Sequence, residues 1–137
     1  MESNPPNQRA HQRLYDDYIV PAANTLFGEV TEGMSLYYSG FHCQEGTSDK
    51  DYFINAFRVR LPRGDHRILI LTRWGRRGCK SLQHKTIVAL PSNYQQEVEK
   101  AYQNRLKHGY EALYAHDCNI PVHGAQAEVV IGADEEI

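Results

Sequence analysis

The sequence predicts an α+β domain: an antiparallel sheet with one long helix packed on a face, preceded by an N-terminal helical extension. Three observations carry this. The runs 52–61 and 68–74 are strand-like and joined by Pro62-Arg63-Gly64-Asp65, the composition of a tight antiparallel connection. Tyr94, Val98, Ala101, Tyr102 and Leu106 recur at helical spacing behind a capping pattern. A chain of 137 residues, 41% apolar and 23% charged, suits a single domain with its own core.

The elements follow in order. Residues 1–7 read as a frayed start. Leu14, Tyr15, Tyr18 and Ile19 give residues 8–18 a small helical stripe, which Pro21 ends or interrupts. Residues 22–33 read as irregular, or as a short helical turn and a loop. Leu36-Tyr37-Tyr38 forms a first strand, with a loop expected over 43–50. In the second strand Phe53, Phe57, Val59 and Leu61 share one face, while Arg58 and Arg60 point to the other. The third, 68–74, is apolar on both faces at its start, as a central strand should be. A fourth strand is expected over 80–89. Ser92 is an N-cap candidate with Gln95 three residues on, and Gly109 stops the helix that follows. Weaker strand signals lie at 112–114 and 128–131.

Composition narrows the function. No apolar run approaches the roughly 18 residues that cross a membrane, and the first residues lack the basic and apolar regions of a signal peptide. An intracellular setting with no membrane contact is expected. Cys43, Cys79 and Cys118 are irregularly spaced and read as free thiols. His116, Cys118 and His123 form a short His/Cys cluster without an evident fourth ligand, so neither a metal nor another cofactor is expected. Catalytic signatures are missing too. Asp16-Asp17 are adjacent on a helix and point apart. Cys79 has His84 nearby but no orienting group. The chain reads as non-enzymatic.

Charge is the informative feature. Arg58, Arg60, Arg63, Arg67, Arg73, Arg76, Arg77, Lys80 and Lys85 crowd one stretch in which Asp65 is the lone acid. That stretch carries +8 against −2 for the chain, leaving −10 for the remainder. A local basic strip attracts polyanions even on an acidic protein. Within it, Arg73-Trp74-Gly75-Arg76-Arg77-Gly78 ends a strand. Tryptophan offers a stacking face, arginine a planar fork for phosphate, and glycine a close backbone approach. The plainer reading makes Trp74 a core residue whose flanking arginines snorkel.

This constellation resembles the WGR domain of the poly(ADP-ribose) polymerases and of small bacterial and phage proteins. The likeness is carried by Thr72-Arg73-Trp74-Gly75-Arg76-Arg77-Gly78, by Lys50-Asp51-Tyr52-Phe53 opening the preceding strand, by the helix over 93–108 and by Gly109-Tyr110. It implies a curved sheet and division into an extension (1–34), a WGR-like domain (35–113) and a C-terminal extension with an acidic end (114–137). It further implies DNA binding at ends, nicks or backbone, with Trp74 packing on a terminal nucleotide, and an interdomain role for the arginine matching Arg76. Trp74, Gly75 and Arg76 carry over from the family. Arg73, Arg77, Gly78, Lys80, Arg58 and Arg60 join the expected site on charge and position. The alternative is a protein-interaction module (regulator, adaptor or phage-encoded inhibitor) that engages its partner through residues 1–34 or Arg76.

Overall fold

A computed structural model describes residues 4–30 and 32–123. The element order is α1 (Asn4–Leu14), a π-helical turn (Tyr15–Ile19), α2 (Val20–Phe27), β1 (Glu32–Glu45), β2 (Ser48–Arg60), β3 (His66–Arg76), β4 (Gln83–Ala89), α3 (Tyr94–Lys107) and β5 (Glu111–His123). The strands form one antiparallel sheet in the order β4-β3-β2-β1-β5. Three successive hairpins lay down β1 to β4. Helix α3 then carries the chain back across the sheet, so that β5 pairs with β1 at the far edge.

The α+β class is as the sequence predicts, but the layering differs. The alternation of β2 and β3 separates two cores. Phe57, Val59, Leu69 and Leu71 face Tyr15, Ile19 and Ala23 of the N-terminal segment. Ile54, Ala56, Ile68 and Ile70 face Val98 of α3. The sheet is therefore the middle of three layers, with both its faces covered. The continuous apolar run at the start of β3 marked this position, since a strand exposed on one face does not bury both sides. The helical segment over 4–27 is consequently part of the core: Tyr15, Ile19 and Ala23 are fully buried. The boundaries expected after residues 34 and 113 fall inside β1 and β5.

Pro21 interrupts the helix without ending it, standing just after the π turn in a backbone that stays helical on both sides. Its ring displaces the carbonyl four residues back. The π turn just before it accommodates that displacement, with the Val20 N–H donating to the Tyr15 carbonyl. Gly28, at φ +94°, then terminates α2. Strand β1 is longer than expected and runs through 43–45, because Phe41 and Cys43 are buried there. The turn to β2 narrows to Gly46-Thr47. Strand β4 starts at Gln83 rather than residue 80. Asn93, not Ser92, caps α3, and its side-chain oxygen accepts from the Leu90 N–H in the preceding loop. The weak strand signal at 128–131 lies outside the described residues.

Candidate nucleic-acid interface

Strand alternation decides which members of the Arg-Trp-Gly-Arg segment can act together. Trp74 pairs across the ladder with Tyr52 and Gln83, and Arg76 with Lys50. These residues share the α3 face. Arg73 pairs with Phe53 and His84 and points to the opposite face, against the N-terminal segment. The expected joint use of Arg73 and Trp74 on one ligand is therefore corrected: a continuous strand cannot turn adjacent side chains to the same side.

On the α3 face the indole is half-buried. It lies near-parallel to the Tyr52 ring at 5.9 Å and 18°, and its N–H donates to Gln83 Oε1 at 3.1 Å. The Arg105 guanidinium covers Tyr52 at 4.3 Å and Tyr110 at 5.3 Å, while Lys50 Nζ stands 5.9 Å from the Tyr110 ring. Exposed Lys85 lies two residues from Gln83 on the same strand face, and exposed Arg76 extends the group toward the turn. The result is an aromatic platform, Tyr52–Trp74–Tyr110, ringed by Lys50, Arg76, Lys85 and Arg105. Its indole N–H is already satisfied, so what it offers a ligand is a π surface and positive charge.

Other predicted members lie elsewhere. Arg77 forms a bidentate pair with Asp51, its Nε and Nη2 both donating to Oδ1 at 3.1 and 2.9 Å, which neutralises its charge. This hydrogen bonding keeps the Arg77 guanidinium pKa above its ordinary value. Gly75 does not open its backbone to a ligand, because Leu82 fills that space: a Cβ there would come within 2.9 Å of Leu82 Cδ2. Gly78, at φ +86°, forms the turn, closed by the Cys79 N–H donating to the Arg76 carbonyl at 3.1 Å. Lys80 is exposed in the following loop. Arg58 and Arg60 share the face of Trp74 but sit at the other end of β2, six residues or roughly 20 Å away. There Arg60 pairs with Glu32 at 3.3 Å and Arg58 packs on the Met34 sulfur. Arg67 pairs with Asp65. The basic strip of the sequence is thus divided among two faces and two ends of the sheet.

Arg105 is the contributor that the helical reading missed. Its signal was present: 98, 101, 102 and 105 is the i, i+3, i+4, i+7 pattern of one helix face. Leu106, which the sequence spacing puts on that face, is 39% exposed. Among the described residues no group of His, Cys, Asp or Glu side chains is arranged to hold a metal. Cys118 turns inward, its thiol donating to the Ser35 carbonyl at 3.3 Å. No described helix is long and apolar enough to cross a membrane.

No protein-family model, no curated protein and no solved structure matches the chain.

Proposed function

We propose that this chain is a non-catalytic nucleic-acid-binding module that engages DNA at ends, nicks or backbone through the Trp74 platform. The observation that carries this reading is the Trp74–Tyr52 stack with Arg105 laid over it and Lys50, Arg76 and Lys85 around it. A base or terminal sugar stacks on such a surface at about 1–3 kcal/mol per base, and the four cations neutralise flanking phosphates without reading sequence. The resemblance to the WGR domain supports the same reading from the residues around Trp74, and under it Arg76 remains available to a neighbouring domain or protein. Lys80 adds charge from the adjacent loop.

The test is fluorescence anisotropy with labelled intact, nicked, blunt-ended and single-stranded DNA at two salt concentrations. Trp74→Ala is expected to weaken binding to the preferred substrate on the order of tenfold. Removing any one of the four cations should reduce the salt slope by roughly one. Binding that ignores salt, or that Trp74→Ala leaves unchanged, refutes the proposal.

One observation favours a protein-interaction reading. Edge strand β4 exposes Ile87, Val88 and the adjoining Leu90 at 39%, 43% and 47%. An open edge with an apolar border is a template for strand addition by a partner. Capture of a protein that Val88→Lys abolishes and Trp74→Ala spares would favour this reading over DNA.

A further inference from the structure

The platform leaves Arg73 unexplained, although it is a largely buried cation with no ion-pair partner among the described residues. It lies on the opposite face of the sheet, at the rim of a cleft of about 490 Å³ between α1 and the strands. Two cross-strand rows form the floor. One is His116–Tyr38–Asn55, the other Tyr114–Gly40–Phe53–Arg73. His11 and Leu14 of α1 form the roof. Gly40 belongs to the design of the floor. The Tyr114 ring occupies the space a side chain there would take, with its Cζ 2.5 Å from the position of a Cβ.

Inside this cleft two polar groups lack partners. The Arg73 guanidinium packs over the Phe53 ring at 4.9 Å and near Tyr18 at 6.0 Å. Its Nε is buried without a hydrogen bond, and among the described residues no carboxylate lies within ion-pairing distance of it. Asn55 is 4% exposed, and its Oδ1 is likewise buried without a donor. Buried polar groups are almost always satisfied, and a desolvated cation without a counter-charge is the least tolerable exception. Aromatic contacts hold the guanidinium, and the part of the side chain that stays exposed at the cleft rim offers its Nη groups to a carboxylate or phosphate. Tyr38, Tyr114 and His116 wall the remainder, with Tyr38 and His116 centroids 5.2 Å apart and the Tyr114 and His116 rings near-parallel. The volume matches sites for small organic ligands.

We infer that this cleft binds a small aromatic anion, a carboxylate or phosphate monoester, whose charged group pairs with Arg73 and whose hydroxyl or amino group donates to Asn55. The site is separate from the Trp74 platform, on the other face of the sheet, and does not depend on its function.

The probes are 4-hydroxybenzoate and phenyl phosphate, with phenol as the uncharged control, titrated into the full chain and followed by calorimetry and by NMR of the tyrosine and histidine rings. At least one anion is expected to bind at least tenfold more tightly than phenol and to shift the Tyr38, Tyr114 and His116 signals. Which anion binds decides between carboxylate and phosphate. Arg73→Met should lose at least tenfold in affinity while keeping a cooperative melt, because it removes an uncompensated charge. Trp74→Ala should bind the probe as the wild type does. Should Arg73→Met fail to fold, Asn55→Leu supplies a readout: it should weaken 4-hydroxybenzoate, which carries a donor, and leave benzoate, which carries none, unchanged. The inference is overturned if neither anion binds, if phenol binds equally well, or if Arg73→Met binds the anion unchanged. Loss of DNA binding in Arg73→Met with no anion binding in the wild type also overturns it, and would assign Arg73 to DNA instead.

Discussion

Gly33 and Gly40 each make room for a tyrosine ring, and neither needs a left-handed backbone. A Cβ at Gly33 would meet the Arg58 carbonyl oxygen at 2.6 Å and Tyr15 Cε1 at 2.8 Å. The carbonyl belongs to the β1–β2 ladder and cannot retreat, so Gly33→Ala should destabilise the fold by about 1–3 kcal/mol in urea unfolding. The neighbouring Tyr15 hydroxyl is buried without a hydrogen bond. Burial and the nearby Asp16 and Glu32 hold that phenol neutral far above its ordinary range. Because nothing compensates its desolvation, Tyr15→Phe is expected to be neutral or to stabilise by up to about 1 kcal/mol; a loss above that would show a partner for the hydroxyl. The His11 ring is 5% exposed, Nδ1 lies 2.7 Å from the Ser35 hydroxyl, and burial lowers its pKa below the usual value. The folded state therefore takes up its proton less readily than the unfolded chain. Below about pH 6.5 the unfolded state binds more protons, and stability falls as pH drops from there to the lowered folded value. His11→Gln should flatten the stability profile within that window and leave it unchanged above pH 7.

At the level of elements, the N-terminal segment shows a helix adapting to an internal proline. His11, Tyr15, Ile19 and Ala23 recur every four residues, and all four are buried. A regular α-helix would rotate such a row off the sheet by about 40° per step, since its period is 3.6 residues. The π turn at Tyr15–Ile19 lies in the middle of that row and, with its wider turn, offsets the drift. Truncating this row has a definite cost: Ile19→Ala, at a fully buried position, should lose about 2–5 kcal/mol. Glutamines secure the same segment at its other end. Gln12 donates to the His123 carbonyl at 2.7 Å and accepts from the His123 N–H at 3.0 Å, while Gln8 donates to the Pro121 carbonyl. These bonds satisfy the outer edge of β5 at its last residues, Pro121 and His123. Helix α3 buries less. Val98 is its one fully buried side chain, with Tyr94, Ala101, Tyr102 and Arg105 half-buried around it.

For the molecule as a whole, the three-layer arrangement changes what truncation experiments mean. Deleting residues 1–30 would not remove a docking arm. It would uncover Phe57, Val59, Leu69 and Leu71 together. At about 1.5–3 kcal/mol per uncovered side chain, that exposure is comparable with the whole stability of a domain. The truncated chain is expected to lose cooperative thermal unfolding and to aggregate; a sharp melt near that of the full chain would contradict the layering. Partner binding is better mapped with point variants on the two edges and the two faces. Under the two proposals, each face serves a different kind of recognition. The α3 face presents charge and aromatic rings to solvent, suited to a polymer that passes over it. The opposite face encloses one charge in a cleft, suited to a small ligand.

By itself the sequence determined the α+β class, the β2–β3 hairpin, the faces of β2 and the body of α3. Each rests on local chemistry: alternation, a Pro-Gly turn, helical spacing and a glycine stop act within a few residues. It placed Trp74 and Arg76 in the expected site, and offered Lys50, Tyr52 and Tyr110 only as carriers of the family resemblance. Tertiary structure alone decided which of these residues meet. Nine basic residues close in sequence are dispersed because adjacent strand residues face opposite ways and hairpin ends lie a strand length apart. Arg105, distant in sequence, is brought over Tyr52 by the crossing of α3. Arg73 and Trp74, bonded neighbours, are separated by the full thickness of the sheet. Periodicity specifies two apolar faces on β3, but what covers each face depends on where the remaining chain finds complementary surface. The tertiary fold placed the N-terminal helices on one face and α3 on the other, and so created both the platform and the cleft.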